Sequence, residues 1–270
     1  MTNLASRTIV LITGANQGIG YAVAQGLLAY KGFYILLGSR NASRGSEAAA
    51  KLDPTGQSVE AITIDVADDT SIQQAADLVE SRHGRLDVLI NNAGINPEID
   101  ILIQQQKKPQ GDGPSSQSLD LAQQREIFRS VYEVNLFGAA QVTEAFTPLL
   151  EKSSVSPVRI IFVSSHTGSM GLRLESSGAD YAKFSRPSFP VYRSSKAALN
   201  MLTLHYAAKF QEKGWKVNAS CPNLTDTNFT RGFGNGRPAS ESAVNIIRLA
   251  TLTADGESGV YSDEIGAVPW

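Results

Sequence analysis

The sequence predicts an α/β fold: one domain built on a doubly wound parallel sheet, with helices on both faces. Three observations carry that expectation. Short runs rich in β-branched and aliphatic residues alternate with helix-length stretches along nearly the whole chain, the pattern of strand–helix–strand crossovers. The first such run opens directly into a cluster of glycines that starts a helical stretch. No linker or internal repeat divides the 270 residues, a length that one large α/β domain can fill.

Strands are expected at 8–13, 33–38, 59–65, 88–91, 159–164 and 216–220, and helices at 19–30, 43–52, 68–82, 121–151 and 191–210. The first strand ends in Thr13-Gly14-Ala15-Asn16-Gln17-Gly18-Ile19-Gly20. Glycines between a strand and a helix let the backbone approach a phosphate closely, and the helix N-terminus favours its charge. The spacing G-x-x-x-G-x-G departs from the G-x-G-x-x-G dinucleotide fingerprint. Arg40 and Arg44 follow the second strand, where no Asp or Glu stands. An acid there would bind a ribose 2′-hydroxyl, whereas an arginine accommodates a 2′-phosphate, so NADP is the expected dinucleotide. Asp65, at the end of the third strand, is placed to accept from an adenine amino group or to cap the next helix.

The fourth strand ends in Asn91-Asn92-Ala93-Gly94, where an open sheet binds ligand. Residues 96–120 are rich in Gln, Pro, Gly and Ser and are expected to form a surface loop, with residues 104–118 as a lid or tether. Asn135 lies in an apolar helical stretch, either as a buried hydrogen-bonding hub or facing solvent. The fifth strand delivers Ser164 and Ser165. Tyr192 and Lys196 then stand one turn apart on the helix at 191–210. A lysine cation there favours the phenolate and is expected to lower the tyrosine pKa towards working range.

Composition narrows the functional classes. Hydrophobic residues make up 42% and charged residues 19%, and the net charge of −2 offers no basic excess for nucleic acid or anionic membrane. Cys221 is the only cysteine, and His83, His166 and His205 lack ligand spacing, so neither a disulfide nor a metal site is expected. No apolar run reaches membrane-spanning length, which makes a cytoplasmic setting the expectation.

Taken together, TGANQGIG at 13–20, NNAG at 91–94, VNLFG around Asn135, VSS at 163–165 and YRSSK at 192–196 resemble the short-chain dehydrogenase/reductase family. SRNASRG near Arg40 and the C-terminal GVYSDEIGAVPW resemble its carbonyl-reductase-like members. The resemblance implies a Rossmann-type, seven-stranded parallel sheet and NADPH as cofactor. It implies cofactor contacts at Gly14, Asn16, Gln17, Gly18, Ile19 and Arg40, then at Asp65, Val66, Asn92 and Gly94, and finally at Tyr192, Lys196, Thr225 and Thr227. It implies a catalytic set of Asn135, Ser165, Tyr192 and Lys196, with Ser165 preferred over Ser164. In that set Tyr192 protonates a carbonyl oxygen, Ser165 orients it, Lys196 holds the nicotinamide ribose, and Asn135 positions a water.

Three departures stand out. Pro222-Asn223 replaces the family's Pro-Gly, a turn that asparagine can also make. Gln17 stands where NADP-using members often carry a basic residue. The wide separation of Ser165 from Tyr192 marks residues 171–189 as a second insertion beside 96–120. The reaction expected is NADPH-dependent reduction of a ketone or aldehyde, with a small-molecule carbonyl as the partner and oligomeric state open. Non-reductive chemistry on the same Tyr–Lys pair and a catalytically silent NADP sensor are the alternatives.

Overall fold

The sequence TIVLI at Thr8–Ile12 forms β1, whose last four residues are buried. Its side chains alternate between two cores. Ile9 and Leu11 enter one cluster with Phe146, Leu199 and Tyr206, while Val10 and Ile12 enter another with Val23, Ala48 and Ile246. A strand apolar on both faces needs helices on both sides, which is the parallel doubly wound arrangement. The structure, a computed structural model, describes residues 6–107, 120–175, 189–232 and 235–270.

β2 (Phe33–Ser39), β3 (Val59–Thr63), β4 (Val88–Asn91), β5 (Arg159–Val163), β6 (Lys216–Ser220) and β7 (Tyr261–Ser262) complete a seven-stranded sheet in the order β3-β2-β1-β4-β5-β6-β7. Every pairing is parallel. The expected Rossmann-type fold is therefore present. The chain direction across the sheet reverses between β1 and β4, and the crevice at such a switch point is where open α/β sheets bind ligands.

Helices α1 (Gly18–Leu28), α2 (Ala42–Leu52) and α3 (Asp69–His83) follow the first three strands. Sequence fixes the ends of α3: the Asp68 carboxylate accepts from Thr70 N and Ser71 N, and Gly84 closes it at φ 72°. α4 (Glu98–Lys107) follows β4, then come α5 (Leu121–Tyr132) and α6 (Ala139–Glu151). α7 (Met170–Glu175) and α8 (Pro190–Lys209) follow β5, and α9 (Ala239–Ser242) and α10 (Val244–Ala250) follow β6.

Two expectations are corrected. The stretch 121–151 is not one α-helix: a π-turn at Glu133–Gly138 separates α5 from α6 and contains Asn135. Residues 96–120 are not all loop, because Glu98–Lys107 is helical; residues 108–119, the greater part of the expected lid, lie outside the described residues. The second insertion begins as helix α7, and its residues 176–188 also lie outside the described residues.

Candidate active site

The glycine turn and the end of β4 are joined by one hydroxyl and one amide. Thr13 Oγ1 accepts from Asn92 N and Ala93 N, both at 3.0 Å. Asn92 Nδ2 donates to Thr13 O at 2.9 Å and Gly14 O at 3.2 Å. Both the side chain and the backbone N–H of Asn92 thus shape the turn. Gly14 and Gly18 have φ of 63° and 59°, a region L side chains rarely adopt. A Cβ at Gly20 would stand 2.6 Å from Asn92 Nδ2 and 2.9 Å from Ala15 Cα, so only glycine allows α1 to start this close to the sheet. α1 has no acidic residue in its first turn, which leaves its N-terminal amides suited to an anion.

Around this turn, Asn16 and Ile19 are half-buried, and Ile19 packs on the core. Gln17 is exposed, and its Oε1 accepts from Asn228 Nδ2 at 3.1 Å. Thr227 lies over the turn, with Cγ2 3.4 Å from a Cβ built at Gly18. Thr225 is less available than expected: its buried hydroxyl is shared with Ser242 Oγ at 2.6 Å, so its side chain holds the loop together. Asn223 takes φ 59°, showing that asparagine does make the left-handed turn there.

At the other end of the crevice, Arg40 and Arg44 are exposed after β2, and among the described residues neither is held in an ion pair. Asp65 Oδ1 accepts from Ala67 N at 3.1 Å, which holds this carboxylate in the turn after β3. The carbonyl of Val66 is so near the π-turn that a Cβ at Gly138 would lie 2.4 Å from it.

α8 and the end of β5 bring the catalytic candidates together. Lys196 is 4% exposed, and its Nζ donates to Val163 O at 2.8 Å and lies 5.7 Å from the centre of the Tyr192 ring. Burial pushes the lysine pKa down to about 8. Burial raises the Tyr192 phenol pKa above its ordinary value, and the Ser165 hydroxyl near it offsets only part of that rise. The expected lowering is therefore not found in the protein alone: removing a phenolate's hydration costs more than these neighbours return. Tyr192 keeps its proton at neutral pH.

Ser165 Oγ also shares a 3.0 Å hydrogen bond with Thr167 Oγ1, at the head of a tight turn spanning His166–Gly168. Ser164 Oγ donates instead to Asn200 Oδ1 at 2.5 Å, buried against α8. Of the two serines, Ser165 is the one that bears on the Tyr192 phenol. Asn135 is the buried hub, not the solvent-facing residue. Its Oδ1 accepts from Ile95 N at 2.8 Å, while Nδ2 donates to Ile95 O at 3.0 Å and Ser195 Oγ at 3.1 Å. Ser195 Oγ in turn donates to Tyr192 O at 2.7 Å. A Cβ at Gly94 would lie 3.3 Å from Asn135 Oδ1 and 3.7 Å from Lys196 Nζ, so the open backbone of NNAG faces the lysine.

The sequence reading missed Glu98, whose Oε2 accepts from Tyr192 N at 2.8 Å and Oε1 from Val191 N at 3.3 Å. Its signal was present in Asn96-Pro97-Glu98, a helix start, followed by Ile99, Ile101, Leu102 and Ile103. Phe229 was missed as well. Its ring centre is 5.8 Å from that of Tyr192, at 58°.

A family model described as short chain dehydrogenase matches residues 8–237. The chain belongs to the short chain dehydrogenase family. This short chain dehydrogenase is 37% identical over 247 residues to the short-chain dehydrogenase anuI of Penicillium roqueforti, covering 91% of this chain and 89% of that one. It is 31% identical over 301 residues to salutaridine reductase of Papaver bracteatum, with coverages of 94% and 93%. Among solved structures, NADPH-bound carbonyl reductase from chicken fatty liver superposes with a TM-score of 0.75 at 27% identity, over 98% of this chain and 100% of that one. Among the described residues, no group of His, Cys, Asp and Glu could hold a metal ion, and no helix is long and apolar enough to cross a membrane.

Proposed function

We propose that this short chain dehydrogenase is an NADPH-dependent reductase that converts a ketone or aldehyde of a small molecule to an alcohol. The observation that carries the reading is the Lys196 ammonium buried one helical turn from Tyr192, its Nζ 5.7 Å from the centre of that ring, with Ser165 near the phenol. The similarity to a carbonyl reductase bound to NADPH and to salutaridine reductase supports both reaction and cofactor. The crevice fits a dinucleotide. Left-handed glycines 14 and 18 open the turn, the first turn of α1 is free of acids, and Gly94 leaves room before Lys196.

Bound NADPH would supply the hydride that reaches the carbonyl carbon. The remaining work is done by this chain. Backbone amides of residues 16–19 would hold the pyrophosphate, Arg40 the 2′-phosphate, and Lys196 the nicotinamide ribose. The Ser165 hydroxyl would donate to the carbonyl oxygen and set its direction. Tyr192, protonated at rest, gives its phenolic proton to that oxygen as negative charge develops there. The alcohol leaves and a phenolate remains, which the Lys196 ammonium stabilises until a solvent proton restores it. Asn135 keeps the Tyr192 backbone in place through Ser195.

The test is absorbance loss of NADPH on incubating the protein with quinones, aromatic ketones and 1,2-dicarbonyls. Stoichiometric alcohol formation with at least one class supports the reading. NADPH binding with no carbonyl reduced across the panel contradicts it.

A further inference from the structure

We propose that Glu98 is a positioning residue for Tyr192: its carboxylate, supplied by α4, caps α8 and fixes the phenol's place in the site. The inference rests on the proposed reductase reading.

A helix N-terminus leaves backbone N–H groups without intrahelical partners. In α8 the N-cap residue is Phe189, at φ 61°, and its side chain makes no capping bond. Pro190 follows at the start of the helix and has no N–H to satisfy. Arg193 N already donates to Phe189 O at 2.9 Å. The amides of Val191 and Tyr192 remain, and Glu98 takes one on each carboxylate oxygen. A carboxylate is also the charge that a helix N-terminus favours.

The capped amide belongs to the reacting residue itself. Tyr192 is therefore clamped on two sides of its backbone: by Glu98 at its N–H and by Ser195 at its carbonyl. Lys196 is held separately, through Val163 O, so the lysine should not follow if Glu98 is lost. The same turn of α4 also holds the segment after β6. Asp100 Oδ1 pairs with Arg231 Nε at 2.9 Å, in the segment whose Phe229 packs on the Tyr192 ring. α4 thus lies in an insertion and yet supports the site.

The experiment compares wild type, Glu98→Ala, Glu98→Gln, Tyr192→Phe and the double variant Glu98→Ala/Tyr192→Phe well below their unfolding temperatures. The readouts are kcat, KM for a carbonyl substrate, NADPH affinity by fluorescence, and amide exchange at Val191 and Tyr192. Displacing a reacting group by about 1 Å can cost roughly a hundred-fold, so kcat in Glu98→Ala should fall at least about ten-fold. NADPH affinity and KM should stay within about two-fold of wild type, since uniform binding is untouched. Both amides should exchange faster. Glu98→Gln, which keeps one carbonyl acceptor in nearly the same volume, should fall between the two and stands in if the alanine variant does not fold. In the Tyr192→Phe background, Glu98→Ala should cost nothing further, because the residue acts through the phenol.

Wild-type kcat in Glu98→Ala, or losses of kcat and NADPH affinity in parallel, would overturn the inference while leaving the reductase reading standing. A wild type that reduces no carbonyl would overturn that reading and this inference with it.

Discussion

Lys196 is the most heavily buried charge in the site, and its titration offers a direct check on the geometry. Burial lowers its pKa from 10.5 to about 8, so the folded chain releases this proton at lower pH than the unfolded chain does. Between those values the unfolded state binds more protons, and the Lys196 contribution makes stability rise with pH across the window. Buried Cys221, raised from 9.0 to about 11, acts in the opposite sense. The lysine is therefore read as a difference against Lys196→Met. Thermal unfolding without cofactor should show wild type gaining on the variant from about pH 8 towards 10; a constant difference would mean that Lys196 is not buried as described. At this scale much of the site was legible. Tyr192, Lys196 and Ser165 lie within short local motifs, and a strand end or one helical turn suffices to place them. What was hidden depended on distant partners. Nothing local to VSS says that Ser164 turns to Asn200, and nothing local to YRSSK says that Glu98 lies above it.

Among the elements, the π-turn and the segment after β6 determine what the helices present. An extra residue in the turn at Glu133–Gly138 brings Asn135 to Ile95 and Ser195, a placement that hydrophobic periodicity does not encode, because α5 and α6 read as one continuous pattern. α4 was obscured by composition: glutamines and prolines downstream masked the helix start at Asn96-Pro97-Glu98. β7 is two residues long and carries too little pattern to be seen. The segment after β6 crosses the crevice with Asn228 on Gln17 and Phe229 on Tyr192. Aromatic pairs contribute about 0.5–1.5 kcal/mol beyond burial. Phe229→Ala should therefore lower kcat/KM for an aromatic ketone by roughly two- to ten-fold, with NADPH affinity unchanged. Steady-state kinetics with aromatic and small aliphatic substrates separate this from general damage. An equal loss on both would assign the ring to loop stability alone.

For the whole molecule, the sheet order places the glycine turn, Arg40, NNAG and Tyr192 around one crevice, though they are spread over much of the chain. That convergence was legible, because the alternation of strands and helices admits few topologies. Arg40 at the end of β2 should make the enzyme prefer NADPH over NADH. Hydrogen bonds to charged groups contribute about 1.5–3 kcal/mol, or roughly ten- to over a hundred-fold in affinity. Arg40→Asp should reverse the ratio of kcat/KM for the two cofactors, and added salt should weaken the wild-type preference. A ratio indifferent to both changes would show that this loop does not read the ribose. The central claim, that Tyr192 donates the proton in NADPH-dependent carbonyl reduction, is tested most directly by Tyr192→Phe under single-turnover conditions, with NADPH affinity measured on the same preparation. General acid catalysis contributes about 10²–10⁴-fold, so reduction should slow by at least that factor while NADPH binds as before. A variant that binds NADPH normally and retains most of the wild-type rate would contradict the claim.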